Sequence, residues 1–397
     1  MRGRADGARL RGPLQPPGCV RAARAHPVPP HGPVGGGGVR GPASLARRRT
    51  AGRDHDEDGA EPDVSAIDVH SHFFPKSFLD LVEREGSPYG AGIQRDGLTP
   101  LLFLPGHPPV PLFPEFVDLP ARLAYLDARG ITLQALSLSP PMVYWAPPRL
   151  GLELARAFND GIAEVCRSQP RRFVGLATLP LQDVEAALRE TERAVRELGM
   201  RGIYLATSVN GRYLDDPGFE PVWQLAVELE IPVFVHPTTY IGEEVLAPFH
   251  LFNTIGFPTE TAALVGRLIY SGLLDRQPRV RVVLAHGGGV FPFLLGRLDH
   301  AHRSRRELQD AIPRPPSGYL DHFYFDTVVH GEGALAYVVR TVGVQRMILG
   351  SDAPYDMADD DPVGRVQRLG LGEEQERAVL EGTARRLLGL DGAGNKP

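Results

Sequence analysis

Ile67-Asp68-Val69-His70-Ser71-His72 closes a short strand-like run on two histidines one residue apart, and its reading decides the fold. Three more metal-capable side chains end hydrophobic β-type runs far down the chain. They are His236 in Ile231-Pro232-Val233-Phe234-Val235-His236, His286 in Val280-Arg281-Val282-Val283-Leu284-Ala285-His286, and Asp352 in Met347-Ile348-Leu349-Gly350-Ser351-Asp352. In a parallel barrel all strands end on one face, so residues hundreds of positions apart converge there, and that face carries the active site. The pattern predicts a metal-dependent barrel enzyme.

Working outward, eight strand-like runs follow one another: Ala66–His70, Ile131–Ser137, Phe173–Leu179, Gly202–Ala206, Ile231–His236, Val280–His286, Phe323–Thr327 and Met347–Ser351. Helical periodicity separates most of them, clearest over Asp183–Leu198 and over Phe219–Glu230 after Asp215-Asp216-Pro217. Eight strands alternating with helices predict a (β/α)8 TIM barrel of class α/β, spanning residues 63–391. Residues 86–120, rich in Pro and Gly, are too long for a simple connection after the first strand and helix. They are expected to form a small insertion over the barrel mouth.

The 397 residues suffice for one such barrel, and a hydrophobic content of 42% against 23% charged residues is that of a soluble protein. No apolar run approaches the ~18 residues of a membrane helix, so no membrane partner is expected. Two cysteines, Cys19 and Cys166, cannot build a disulfide framework, which suits a reducing cytoplasm. Residues 1–62 are dominated by Gly, Pro, Ala and Arg, with an acidic patch over Asp54–Glu61. They are expected to be a disordered extension, too rich in Pro and Gly for the amphipathic helix of a transit peptide. A disordered tail is expected over 392–397. The first fifty residues hold ten Arg and one Asp, which leaves −14 on the remainder of a chain whose net charge is −5. An acidic body of this kind argues against nucleic acid as a partner.

Residues two apart on a strand face the same side, so His70 and His72 can bind one ion together. Imidazoles and a carboxylate from separate strands make a ligand set for Zn²⁺ or a similar divalent ion with a position left open for water. Histidines also serve in cores, bonded to a carbonyl; it is the further residues at strand ends that point to a metal. The only lysines are Lys76 and Lys396. A carboxylated lysine bridging two ions therefore has no source at the end of the fourth run, Gly202-Ile203-Tyr204-Leu205-Ala206, so one metal per chain is expected. Schiff-base chemistry is disfavoured for the same reason.

Ile67–His72, Pro170–Leu176, Phe234–Pro237, Ala285–Phe293 and Leu349–Pro354 together resemble the aminocarboxymuconate-semialdehyde decarboxylase family of the amidohydrolase superfamily, over nearly everything from residue 66 to 390. The resemblance implies that His70, His72, His236 and Asp352 ligate one Zn²⁺ and that His286 is the general acid/base beside it. It also implies that Arg297 reaches across a homodimer interface to the substrate carboxylate, and that Met142, Tyr144 and Trp145 wall the pocket. Ordinary surface and core roles are the alternatives for these residues. Phe257–Thr261 resembles a stretch shaping the pocket floor and reads equally as a Pro-initiated helix start. Asp326, at the end of the seventh run, could orient a ligand or be solvated. Two departures concern the substrate: Leu102–Pro109 holds no arginine where the family has arginines for a second carboxylate, and Thr238-Thr239-Tyr240 stands where a family member has a tryptophan.

The expected activity is non-oxidative decarboxylation of a small unsaturated or aromatic carboxylic acid, with His286 and Asp352 as the catalytic side chains. A hydrolase or hydratase on the same barrel needs the same ligands and is the alternative. A metal protein without catalysis would have a filled pocket, whereas Gly287-Gly288-Gly289 leaves little bulk around His286.

Overall fold

A computed structural model describes residues 65–391; the expectations for residues 1–62 and 392–397, and Cys19, lie outside the described residues. Strands form wherever a short run of β-branched and aromatic residues is buried on both faces, the signature of a parallel sheet covered by helices. These are β1 (Ile67–Asp68), β2 (Leu133–Leu136), β3 (Phe173–Gly175), β4 (Ala177–Thr178), β5 (Ile203–Ala206), β6 (Val233–His236), β7 (Val282–Leu284), β8 (Phe323–Asp326) and β9 (Met347–Ile348).

Pairing is parallel from each strand to the next. β1–β2–β3 forms one arc and β4 to β9 the other. The third predicted strand is split at Leu176: β3 pairs with β2, β4 with β5, and Leu176 N–H donates to Leu136 O at 3.0 Å to carry the ladder across the break. The ring closes between its last and first strands, where Val69 N–H donates to Leu349 O at 3.0 Å and Asp352 N–H to His70 O at 2.8 Å. The result is the (β/α)8 barrel.

Asp68 reinforces that seam. Its buried carboxylate accepts from the N–H groups of His70 and Ser351, both at 3.0 Å, and from Gln134 Nε2 at 2.6 Å on the neighbouring strand. Arg122 is fully buried beneath, its guanidinium bonded to Gln134 and to the His72 carbonyl. Together they fix the backbone on which both histidines of the opening motif stand.

Helices cover the outside by burying one face. α1 (Lys76–Glu85) buries Phe78, Leu79, Leu81 and Val82; α2 (Pro148–Ser168) buries Leu150, Leu154, Phe158 and Ile162. α3 (Val184–Arg196) starts where Asp183 accepts from Ala186 N–H, an N-cap that satisfies an otherwise orphaned donor. α4 (Glu220–Glu228), α5 (Phe257–Tyr270), α6 (Phe291–Ser304) and α7 (Glu332–Val342) continue the alternation.

The segment after α1 builds its own three-stranded antiparallel sheet, from 92–94, 101–103 and 110–111. Its tip reaches the mouth of the barrel, where His107 to Pro111 and Phe113 line the cavity described below. Among the described residues no helix is long and apolar enough to cross a membrane.

Candidate metal centre

The parallel register brings the strand ends together. His70 and His72 follow β1, His236 ends β6 opposite Ala206, His286 lies two residues beyond β7, Asp326 ends β8 and Asp352 follows β9. One donor atom from each of His70, His72, His236 and Asp352 lies within 4.8 Å of the others, and all four residues are buried. His70 Nε2 and His72 Nε2 stand 3.4 and 3.2 Å from the same Asp352 oxygen.

The second ring nitrogens are spoken for. His70 Nδ1 donates to Asp326 Oδ2 at 2.6 Å, and His236 Nδ1 donates to Pro237 O at 2.7 Å, which turns Nε2 of each ring toward the cluster. His70 Nε2 is buried with no hydrogen-bond partner in the protein. A buried, unsatisfied nitrogen facing two imidazoles and a carboxylate fits a divalent cation, and the donor set suits one.

Electrostatics agree. Burial, helped by the neighbouring histidines, pushes His236 well below the ordinary imidazole range, and burial brings His72 down to about 4, so both are held in the neutral, ligating form. Burial also opposes charge on His70, but Asp352 and Asp326 outweigh it and hold the ring up at about 9. Asp352, which burial alone would raise, is kept well below the usual carboxylate range by His70, His286 and His72.

His286 stands beside this cluster. Its Nε2 is 3.6 Å from Asp352 Oδ2, and its ring centre is 4.8 Å from that of His236. It occupies left-handed backbone (φ 55°), as does Asp352 (φ 62°). Few non-glycine residues adopt that conformation, so both are held there by their surroundings. Asp326 supplies part of that hold: Oδ2 accepts from His286 N–H at 3.0 Å and Oδ1 from Gly287 N–H at 2.7 Å. Buried to 1% exposure, Asp326 is bonded to His70 and to the His286 loop rather than solvated.

A cavity of about 240 Å³ opens onto His236, His286 and Asp352. Its walls are largely apolar, with Phe113, Phe252, Phe257, Tyr355 and several prolines, while His107, His250, Asn253 and Asp356 supply the remaining polar groups. Phe257 meets both readings of its stretch, since it begins α5 and lines the cavity.

The structure does not bring every sequence-derived candidate onto this cavity. Met142 is fully buried in the core. Trp145 is half-buried, and its Nε1 donates to Met142 O at 3.0 Å. The turn that holds them folds on itself, Met142 N–H donating to Ser139 O at 2.9 Å, and Pro140 is the residue of that turn lining the cavity. Arg297 is exposed on α6 and does not line the cavity of its own chain. Asp68 and the cavity residues His107, Asn253 and Asp356 had no role in the sequence reading. Asp68 lies within the opening motif; the other three carry no local signal, because three remote loops bring them together.

Residues 67–390 match the family described as Amidohydrolase. The chain is 34% identical to a 2-amino-3-carboxymuconate-6-semialdehyde decarboxylase from Dictyostelium discoideum, over 82% of this chain and 92% of the relative. Among solved structures it resembles 5-carboxyvanillate decarboxylase from Sphingomonas paucimobilis, with 27% identity, a TM-score of 0.71 and coverage of 82% and 99%. It also resembles a dihydroxybenzoic acid decarboxylase from Polaromonas sp. with bound manganese and the inhibitor 2-nitroresorcinol, with 26% identity, a TM-score of 0.69 and coverage of 83% and 98%.

Proposed function

The chain belongs to the amidohydrolase family, among the enzymes similar to aminocarboxymuconate-semialdehyde decarboxylase, and on that premise we propose that it is a metal-dependent, non-oxidative decarboxylase of a small aromatic or otherwise unsaturated carboxylic acid. One observation carries the reading: His236 and Asp352 of the four-donor cluster and the imidazole of His286 line one cavity whose other walls are largely aromatic and proline side chains. His70, His72, His236 and Asp352 would hold one divalent ion, with zinc favoured by the imidazole-rich donor set and manganese the alternative. When bound, the ion supplies a fixed positive charge that orients an anionic substrate.

The residues of the chain account for the rest. Loss of CO₂ without an oxidant needs a proton on the carbon that bears the carboxylate. The C–C bond then breaks, its electron pair restores the unsaturated system and CO₂ leaves. His286, facing the cavity beside Asp352, is assigned the delivery of that proton, with Asp352 as the carboxylate that stabilises its charged form. Phe252, Phe257 and Tyr355 sandwich a planar acid and limit water, which strengthens each of these interactions.

Arg297 is proposed to serve the site of a second copy of the chain in a homodimer, a role suited to an exposed guanidinium outside its own cavity. The free Cys166 thiol accords with a reducing cytoplasm, the compartment we propose. The test is CO₂ release from a panel of aromatic and unsaturated acids by the metal-loaded protein, run beside assays of hydration and ring opening. Decarboxylation of at least one acid is expected; water addition without CO₂ would assign the site to a hydratase or hydrolase.

A further inference from the structure

The wall of the cavity that the insertion supplies has a chemistry of its own. No arginine or lysine lines this cavity among the described residues. The polar groups away from the metal cluster are His107 on the tip of the insertion, His250 and Asn253 on the loop after β6, and the exposed Asp356. His107 is held in a turn: its N–H donates to Leu104 O at 3.2 Å, and its Nδ1 donates to Pro108 O at 2.8 Å. Nε2 is then the ring nitrogen left to accept a hydrogen bond from a bound molecule.

We infer that His107 is a specificity-determining residue that selects a monocarboxylic acid carrying a neutral hydroxyl on its far side, and that a second carboxylate is rejected. The inference rests on the decarboxylase reading for the placement of the first carboxylate, at the metal cluster. A carboxylate brought into an apolar cavity must find a cation or several donors. This wall carries no arginine or lysine, its donors are the Asn253 amide and the His250 ring, and Asp356 adds a like charge, while the Arg297 proposed from a second copy is assigned to the first carboxylate. Burial pushes His107 below the ordinary imidazole range, so the ring is neutral and suited to a hydroxyl rather than an anion. A hydroxyl asks for less, because one well-placed acceptor satisfies its proton. Phe113 and Phe252 line the same cavity and add apolar surface.

The experiment uses the full-length, metal-loaded protein and two probes: 4-hydroxybenzoate, with one carboxylate and a neutral hydroxyl at the opposite ring position, and benzene-1,4-dicarboxylate, with a second carboxylate in its place. Binding is measured by calorimetry and CO₂ release in parallel. The monocarboxylate should bind on the order of 10- to 100-fold more tightly, the span expected from leaving a buried charge unpaired. H107A should lose about tenfold of that affinity, and H107R, which adds a guanidinium to the same wall, should bring the dicarboxylate to within about tenfold of the monocarboxylate. Metal content and Tm confirm that each variant is folded. The inference is overturned if the unaltered protein binds the dicarboxylate as tightly, or if both variants keep the original ratio. Selective binding without CO₂ from either probe or from any acid of the panel would overturn the decarboxylase reading and leave the role of His107 standing.

Discussion

His70 Nδ1 lies 2.6 Å from Asp326 Oδ2, and the same carboxylate accepts the N–H groups of His286 and Gly287. One buried side chain thus holds the ring of a proposed metal ligand and the backbone of the proposed proton donor. Asp326→Asn keeps the volume but replaces an accepting oxygen with a donor facing groups that are themselves donors. Metal affinity should fall about 10- to 100-fold, the usual effect of removing a partner behind a ligating histidine. Competition with a chelator measures it; unchanged affinity with unchanged turnover would show that Asp326 does neither job.

The barrel was legible because its signal is chemical as well as periodic. His70, His72, His236, His286 and Asp352 each close an apolar run, so the strand ends could be read together, and all eight strands lie where those runs predicted them. The break at Leu176 was hidden because Gly175 and Ala177 continue the same apolar run. Gly175 packs closely there, a Cβ at that position lying 2.3 Å from Met200 Sδ, a contact no local pattern shows. Asp326 showed its position and not its role, since a carboxylate at a strand end reads alike whether solvated or bonded. The pieces 92–94, 101–103 and 110–111 are too short to carry a period. His107 meets Asn253 only through the fold, so the wall they share was invisible in either stretch.

One divalent ion per chain is expected. Removing His236 or Asp352 takes away one of four donors, and a buried cluster of three holds an ion poorly. His236→Ala and Asp352→Ala should each emerge from purification with little metal, by elemental analysis, and without activity that added zinc or manganese restores at stoichiometric concentration. Two ions per chain in the unaltered protein would contradict the single centre.

His286→Asn should keep the metal and the fold and reduce turnover about 10²- to 10⁴-fold, the usual contribution of a positioned proton-transfer group. Its Nε2 stands 3.6 Å from Asp352 Oδ2 and it is not one of the four clustered donors. Loss of the ion in this variant would make His286 a ligand and would require another proton donor.

Gly289 has φ 61° and ψ −132°, and a Cβ there would lie 2.1 Å from the Pro258 carbonyl oxygen. The backbone must shift to admit any side chain, and the same loop carries His286. Gly289→Ala should cost about 3 kcal/mol or more in stability and lower turnover as well. Gly296→Ala is the control: on α6 with nothing within 4 Å of the added carbon, it should be neutral or stabilising by about 0.5–1 kcal/mol. Thermal melts of the two side by side make the comparison, and equal Tm values would refute the close-contact argument.

Arg297 is exposed on α6, the helix that follows the His286 loop, and it does not reach its own cavity. A carboxylate in a pocket with little water gains most from a guanidinium, which grips it with two parallel hydrogen bonds. If a second copy of the chain supplies Arg297, activity per chain should fall on dilution below the dimer dissociation constant. His286→Asn and Arg297→Ala should each be nearly inactive alone. In a mixed dimer, one of the two sites receives His286 from the Arg297→Ala chain and Arg297 from the His286→Asn chain, so mixing should restore up to about half of the activity per dimer. Verified mixed dimers that stay inactive would place Arg297 outside the partner's site, and full activity of Arg297→Ala alone would remove it from the mechanism.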